Sequence, residues 1–187
     1  MITVAKKKSG KGFILIGITG SIAAYRACEI IASLRKAGYC LQALMTKEAS
    51  HFVTPLTLQT LTENEVVQDM FQPPAEWDPL HTSLADKADL ILIAPATANI
   101  IGKLASGIVD DIITCTVFAT KAPVLLAPAM NDNMYKNKIT QANIRKLKEA
   151  GYKFVGPIKG HLACGRAGEG HIADTAAIVK AARQLIT

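Results

Sequence analysis

The segment GITGS (17–21) has the composition of a phosphate-binding turn. Gly17, Gly20 and Ser21 form a GxxGS pattern after a short apolar run. Glycine lets backbone N–H groups approach a phosphate, a helix starting there adds positive potential, and the Ser21 hydroxyl can donate a further bond. A tight turn between strand and helix needs glycine in any case, so the pattern alone leaves both readings open. The end of the next apolar run separates cofactors. NAD sites commonly place Asp or Glu there to hold a ribose diol. Here Thr46 and Lys47 stand at that end, with Glu48 beyond them, which favours a mononucleotide.

Four further groups of residues can do chemistry. In PATAN (95–99), Thr97 and Asn99 offer a hydroxyl and an amide, to a ligand or to a helix start. In APAMNDNMY (127–135), Met130 and Met134 lie four apart on one helical face, a spacing most often used to fill a core. Asn131 in the same segment can bond a carboxylate or cap a helix. His81 follows the Pro-rich stretch QPPAEWDP (72–79). It is either structural or, if that loop folds over the site, a base or donor near neutral pH. HLACGRAGEGH (161–171) holds Cys164 among glycines. His161, Cys164 and His171 are possible zinc donors, but no fourth ligand is evident, so no metal is expected. The segment otherwise reads as a surface loop, or as a mobile lid with Gly165, Gly168 and Gly170 supplying flexibility and Cys164 acting on a substrate.

These segments need a scaffold that gathers them. FILIGI (13–18), CLQALMT (40–46), LILIAP (90–95) and PVLLAP (123–128) read as buried strands, with short ones at Glu65–Val67 and Phe154–Val155. Helical spacing or length predicts helices over 21–37, 54–62, 81–88, 98–106, 110–120 and 138–150. A last helix starts after a capping Asp174 and runs to about Leu185, Gly38 closes the first, and 156–171 reads as a loop. Strands alternating with helices imply an α/β sandwich with a mostly parallel sheet, whose strand ends GITGS, MTKE, APATAN and APAMN converge on one rim.

The composition sets bounds. The 187 residues are 50% apolar and 19% charged, which suits one globular domain rather than a disordered chain. Part of the net charge of +6 sits at Lys6, Lys7, Lys8 and Lys11, so residues 1–11 read as a flexible basic tail before a single domain at 12–187. No basic stripe suggests nucleic acid, and the charge better suits an anionic substrate. The irregularly spaced cysteines Cys28, Cys40, Cys115 and Cys164 fit reduced thiols in a cytoplasmic protein. No run of about 18 apolar residues suggests a membrane span.

Taken together, the motifs resemble the homo-oligomeric flavin-containing cysteine decarboxylases over residues 12–186. GITGSIAAY is similar to the family's N-terminal FMN turn, and PATANI to its PASANT motif. PAMNDNMY is similar to PXMNXXMW, with Tyr135 in place of Trp. LACGRAGEGHIAD resembles the substrate-recognition clamp, with His171 where Arg is common. The resemblance implies a three-layer α/β/α sandwich of Rossmann-like or flavodoxin-like type. It implies FMN held by Gly20, Ser21, Ile22, Thr46, Thr97, Asn99 and Ala129. It places His81 and Asn131 at the reacting end of the substrate, Cys164 on the clamp, and Met130, Met134, Ala163 and Gly165 among the substrate contacts.

The implied reaction is decarboxylation of 4'-phosphopantothenoylcysteine to 4'-phosphopantetheine on the way to coenzyme A. Oxidising the thiol to a thioaldehyde places C=S β to the carboxylate, CO2 leaves with its electrons on sulfur, and the ene-thiol is then reduced. The implied assembly is a trimer, or a dodecamer built of trimers, with sites between subunits, so that His81 serves a neighbour's flavin. Any synthetase would be a separate polypeptide. The alternatives are a peptidyl-cysteine decarboxylase acting on a lantibiotic precursor, a flavin prenyltransferase, and a relative that binds and inhibits a phosphatase.

Overall fold

The computed structural model describes residues 11–71, 79–161, 165 and 167–186. Five parallel strands form the central sheet: β1 (Phe13–Ile18), β2 (Cys40–Met45), β3 (Leu90–Ala96), β4 (Val124–Pro128) and β5 (Lys153–Phe154), in the order β2-β1-β3-β4-β5. Every residue of β1, β3 and β4 is buried, which is why these strands are continuous apolar runs rather than alternating ones. The two-residue side-chain period still sorts them between two cores. Ile14, Ile16 and Ile18 of β1 join Leu41, Ala43 and Met45 of β2 and Leu90, Leu92 and Ala94 of β3 on one face. Phe13 and Leu15 join Leu44, Ile91, Ile93 and Leu126 on the other.

Helices cover both faces. On the first lie α1 (Arg26–Lys36), α2 (Pro55–Thr62) and α8 (Thr175–Leu185), which bury Ile30, Ile31, Leu34, Leu58 and Ile178. On the second lie α3 (Leu80–Lys87), α4 (Ala98–Ser106), α5 (Ile112–Ala119) and α7 (Lys138–Glu149), which bury Leu84, Ile101, Leu104, Ile113, Val117, Ile144 and Leu147. This is the expected three-layer sandwich. Its strand order runs to one side from β1 to β2 and to the other from β3 onward. The carboxyl ends of β1 and β3 therefore flank the crevice where such sheets take ligands.

Several boundaries differ from expectation for identifiable reasons. The first helix does not start at residue 21. Ser21 caps a 3-10 turn, Ile22–Tyr25, and α1 follows from Arg26. Gly38 does close α1, at φ +94°, with its N–H donating to Arg35 and that of Tyr39 to Leu34. The fifth helix begins at Ile112 rather than 110, because Asp111 and Thr114 form a reciprocal capping box. Asp174 stands at the N-cap of α8, but its side chain makes no capping bond. Glu65–Val67 is not a strand; a single bridge joins Val67 to Leu44. A short helix within the PAMN segment, α6 (Asp132–Lys136), interrupts the path to α7.

The largest correction concerns 156–171. Rather than a loop, it contains an antiparallel hairpin of β6 (Ile158–His161) and β7 (Ala167–His171). Its glycines and charges give it little intrinsic strand signal, and its docking on residues 130–132 supplies what the local sequence lacks. Residues 72–78 of the Pro-rich stretch and residues 1–10 of the basic tail lie outside the described residues. Lys11 donates its backbone N–H to Gly38.

Candidate active site

The rim forms where the strands end. Thr19, one residue past β1, is buried, and its hydroxyl donates to the Pro95 carbonyl at 2.7 Å and accepts from the Thr97 N–H at 3.2 Å. One side chain thus ties the end of β1 to the end of β3 across the crevice. Sequence reading passed over Thr19. Its only sign was a hydroxyl at the end of an apolar run, which looks like any strand-end threonine. Thr46 donates its N–H to Ile18, and its Oγ1 accepts from Ala49 to start the 3-10 turn Lys47–His51. Ala129 donates its N–H to Ala96. Thr97 caps α4 by accepting from Ile100 at 3.4 Å.

The two glycines of GITGS have different tasks. Gly17 is not in the turn; it lies within β1 between Leu44 and Ile93, and a Cβ there would come 3.2 Å from Ile113. It lets α5 close on the sheet, so its expected place in a phosphate turn is corrected. Gly20 is in the turn. A Cβ on it would lie 2.5 Å from that of Glu48, so only glycine allows the first turn to sit against the second. Ser21 follows with an extended backbone, its Oγ accepting from Ala23 at 3.2 Å.

Two adjoining clefts open on this rim and share Ser21, Ala129 and Met130. The smaller, about 270 Å³, takes in Gly20, Thr46, Glu48, Thr97 and Asn99. It therefore gathers six of the seven residues expected around FMN. The seventh, Ile22, is exposed and lines the larger cleft instead. That cleft, about 460 Å³, runs between the 3-10 turn at Ile22–Tyr25 and the hairpin, with Asn131, His161 and His171 in its wall. Met134 lines the smaller cleft, and Met130 lines both.

Asn131 is held at the N-cap of α6, its Oδ1 accepting from Asn133 at 2.9 Å. The hairpin lies directly on this segment. Met130 donates its N–H to the Gly170 carbonyl at 3.0 Å, and a Cβ on Gly168 would come 2.8 Å from that of Asp132. Gly165 has φ +81° and lines neither cleft. Cys164 and Ala163 lie outside the described residues. His81 is the second residue of α3 and lines neither cleft, so the fold of one chain does not bring it to Asn131. Among the described residues no group of three or more His, Cys, Asp or Glu could hold a metal, and no helix is long and apolar enough to cross a membrane.

Two groups of ion pairs lie among residues that line neither cleft. Arg26 lies over the Tyr25 ring, 5.4 Å from its centroid, and pairs with Glu29 at 2.9 Å. That hydrogen bond raises the Arg26 pKa and, with a second from Thr175, holds the Glu29 carboxyl below its usual range. Lys103, under the loop between α4 and α5, pairs with Asp110 at 2.7 Å and Asp111 at 2.9 Å. Burial pulls its pKa down, and the two carboxylates together more than offset this.

The chain was compared with known proteins on this basis. It is 45% identical over 171 residues to the "Coenzyme A biosynthesis bifunctional protein CoaBC" of Bacillus subtilis, covering 91% of this chain and 42% of that protein. It is 45% identical over 172 residues to the "Probable phosphopantothenoylcysteine decarboxylase" of Streptococcus mutans, covering 89% of this chain and 94% of that one. The chain spans less than half the length of the bifunctional relatives it matches. A solved PPC decarboxylase variant complexed with pantothenoylaminoethenethiol superposes with a TM-score of 0.83 at 30% identity, over 92% of this chain and 97% of that one. The FMN-dependent cysteine decarboxylase SpaF superposes with a TM-score of 0.79 at 31% identity, over 91% and 97%. The family model described as Flavoprotein matches residues 2–187, leaving no part of the described rim outside it, and the chain belongs to the flavoprotein family.

Proposed function

We propose that this chain is an FMN-dependent decarboxylase that converts 4'-phosphopantothenoylcysteine to 4'-phosphopantetheine in the cytoplasm. The observation that carries the reading is the pair of clefts meeting at Ala129 and Met130: one shaped by a mononucleotide-type turn, the other walled by Asn131. The smaller cleft fits FMN by its construction. Gly20 lets the first turn close against Glu48, the Ser21 hydroxyl suits a phosphate, and Thr46, Thr97 and Asn99 add polar contacts. Bound flavin would supply the reversible two-electron redox chemistry that lets the cysteine carbon release CO2.

The remaining work falls to the protein. Asn131 holds its Oδ1 against the Asn133 N–H in the wall of the larger cleft, where its amide would face a substrate carboxylate. Ser21, Ala129 and Met130 are common to both clefts, and a substrate thiol held there would lie beside the cofactor site. Cys164 would return a proton to the ene-thiol, a task suited to a thiol that is mostly protonated at neutral pH. His81 would assist proton movement in the cleft of a neighbouring copy. The strongly exposed Phe71 (82%), whose neighbour Met70 meets Cys115 of α5, and the half-exposed Phe118 (49%) of α5 suit burial against such a copy, which we assign to a trimer or an assembly of trimers.

Two measurements test the reading. Acid release from the purified protein should yield FMN, and incubation with 4'-phosphopantothenoylcysteine should release CO2 without an added reductant. NAD, FAD or no flavin after reconstitution would contradict the cofactor. CO2 release from a cysteine-ending peptide but not from 4'-phosphopantothenoylcysteine would favour the peptidyl alternative.

A further inference from the structure

The function proposed above leaves a third cavity unused. A groove of about 720 Å³ lies between α1 and α8, lined by Ser33 of α1, by Tyr39, and by Thr175, Val179, Lys180 and Arg183 of α8. It shares no residue with either rim cleft. Tyr39 directly precedes β2 and Thr46 directly follows it, so the length of that strand separates them by about 20 Å.

The groove is one-sided in charge. The sequence of α8, TAAIVKAARQL, has two cations and no acid. Lys180 and Arg183 are three residues apart, which makes them neighbours on one helix face. Neither has an ion-pair or hydrogen-bond partner among the described residues. Arg26, Arg35, Lys103 and Lys136, by contrast, each pair with a carboxylate. No carboxylate lines the groove among the described residues. At its Thr175 end the threonine hydroxyl donates to Glu29, which Arg26 also holds. Lys180 and Arg183 lie about 8 and 12 Å farther along the helix axis.

Tyr39 supplies a second, independent sign. Only 8% of this residue is exposed, and it packs in the core beneath α1 and α8. Its hydroxyl has no hydrogen-bond partner among the described residues. No fully buried side-chain oxygen among them lacks a partner. The hydroxyl is therefore the part of Tyr39 that reaches the groove, and it can donate there. A flat basic face would suit an extended acidic partner, whereas a cavity with a hydroxyl in its floor suits a compact ligand.

We infer that this groove binds the phosphate group of a small phosphorylated molecule, held by Lys180 and Arg183 from α8 and by the Tyr39 hydroxyl from below. A guanidinium fork beside an ammonium matches the charge and the several terminal oxygens of a phosphate. The site needs neither the rim nor its chemistry.

The test titrates inorganic pyrophosphate into the flavin-loaded protein at fixed ionic strength, read by calorimetry. The wild type should bind it saturably. The double variant Lys180→Gln/Arg183→Gln should lose at least about 10-fold in affinity, the effect of one charge-assisted hydrogen bond. Tyr39→Phe, which keeps the ring in the core, should lose about 2- to 10-fold. Flavin content and decarboxylation should be unchanged in all of these variants. Absence of saturable binding to the wild type at millimolar pyrophosphate would overturn the inference. Binding undiminished in the double variant would place the anion on the rim and overturn it too. Unaltered binding by Tyr39→Phe would reduce the site to diffuse surface charge. A penta-glutamate peptide that binds through Lys180 and Arg183 where pyrophosphate does not would make the groove a docking surface for an acidic protein, against the inference.

Discussion

The two clefts are built on different principles although they share three residues. The smaller is made by the ends of four strands, and its walls are joined by backbone bonds from Thr46 to Ile18 and from Ala129 to Ala96, and by the Thr19 hydroxyl across to Pro95 and Thr97. The backbone bonds extend a parallel sheet buried on both faces, and the hydroxyl bridges its crevice. The larger cleft has one such wall. Its other wall is a small hairpin laid onto α6 through glycines at 168 and 170. The first cleft is as stable as the sheet, whereas the second depends on one docking seam. Cofactor retention and substrate affinity should therefore respond to different mutations.

The largest effects should come from removing chemistry while leaving both clefts standing. His81→Asn should keep its FMN and its oligomeric state, and should lose decarboxylation by about 100-fold or more, the usual contribution of a general acid or base. Single-turnover CO2 release, flavin content and sedimentation check this. Full activity in the folded variant would remove His81 from the mechanism.

Next come the two cleft walls. Ser21→Asp puts a carboxylate beside the proposed phosphate site and should release FMN with little change in folding, as read by flavin fluorescence on dilution. Gly168→Val should do the reverse. It forces the hairpin off Asp132, raises KM about tenfold or more, and leaves flavin content intact. If Gly168→Val released FMN as readily as Ser21→Asp, the separation of the two clefts would fail.

Gly17→Val addresses the scaffold beneath both clefts. Its side chain would press on Ile113, and overpacking of this kind costs about 1–3 kcal/mol. Denaturant unfolding should show the loss, with FMN affinity preserved in the folded fraction. A variant as stable as the wild type would mean that α5 does not rest on this glycine.

The sheet was readable for a physical reason. FILIGI, LILIAP and VLLAP are buried on both faces, and such strands announce themselves as unbroken apolar runs. Six of the seven residues that family likeness assigned to FMN line the smaller cleft because they follow those runs directly. Thr19 was missed because its two bonds reach residues more than 70 positions away, which no local pattern reveals. The hairpin was missed because it is specified by what it lands on. LACGRAGEGH has glycine where its backbone approaches Met130 and Asp132, and glycine reads locally as a loop. His81 was identified by family likeness, and the structure of one chain places it in neither cleft.

The smallest effect should come from the loop between α4 and α5. Lys103 holds the Asp110 carboxyl below its usual pKa through their hydrogen bond. A carboxylate lowered on folding contributes stability above its unfolded pKa and loses it as pH falls through the folded one. Lys103→Met should thus be destabilising at neutral pH, and its gap from the wild type should close on acidification. Asp110 is exposed, so the pH-dependent part should be modest. A gap that stays constant down to strongly acidic pH would contradict the pairing.

Product mass tests the central claim most directly. The purified flavin-loaded protein is incubated anaerobically with 4'-phosphopantothenoylcysteine, and the products are weighed alongside the flavin absorbance. A complete decarboxylase should give 4'-phosphopantetheine with its flavin returned to the oxidised state, and Cys164→Ser should release CO2 once and stop at the ene-thiol, lighter by a pair of hydrogens, with reduced flavin. A wild-type protein that itself stops at the ene-thiol, or that leaves the substrate intact, would contradict the account.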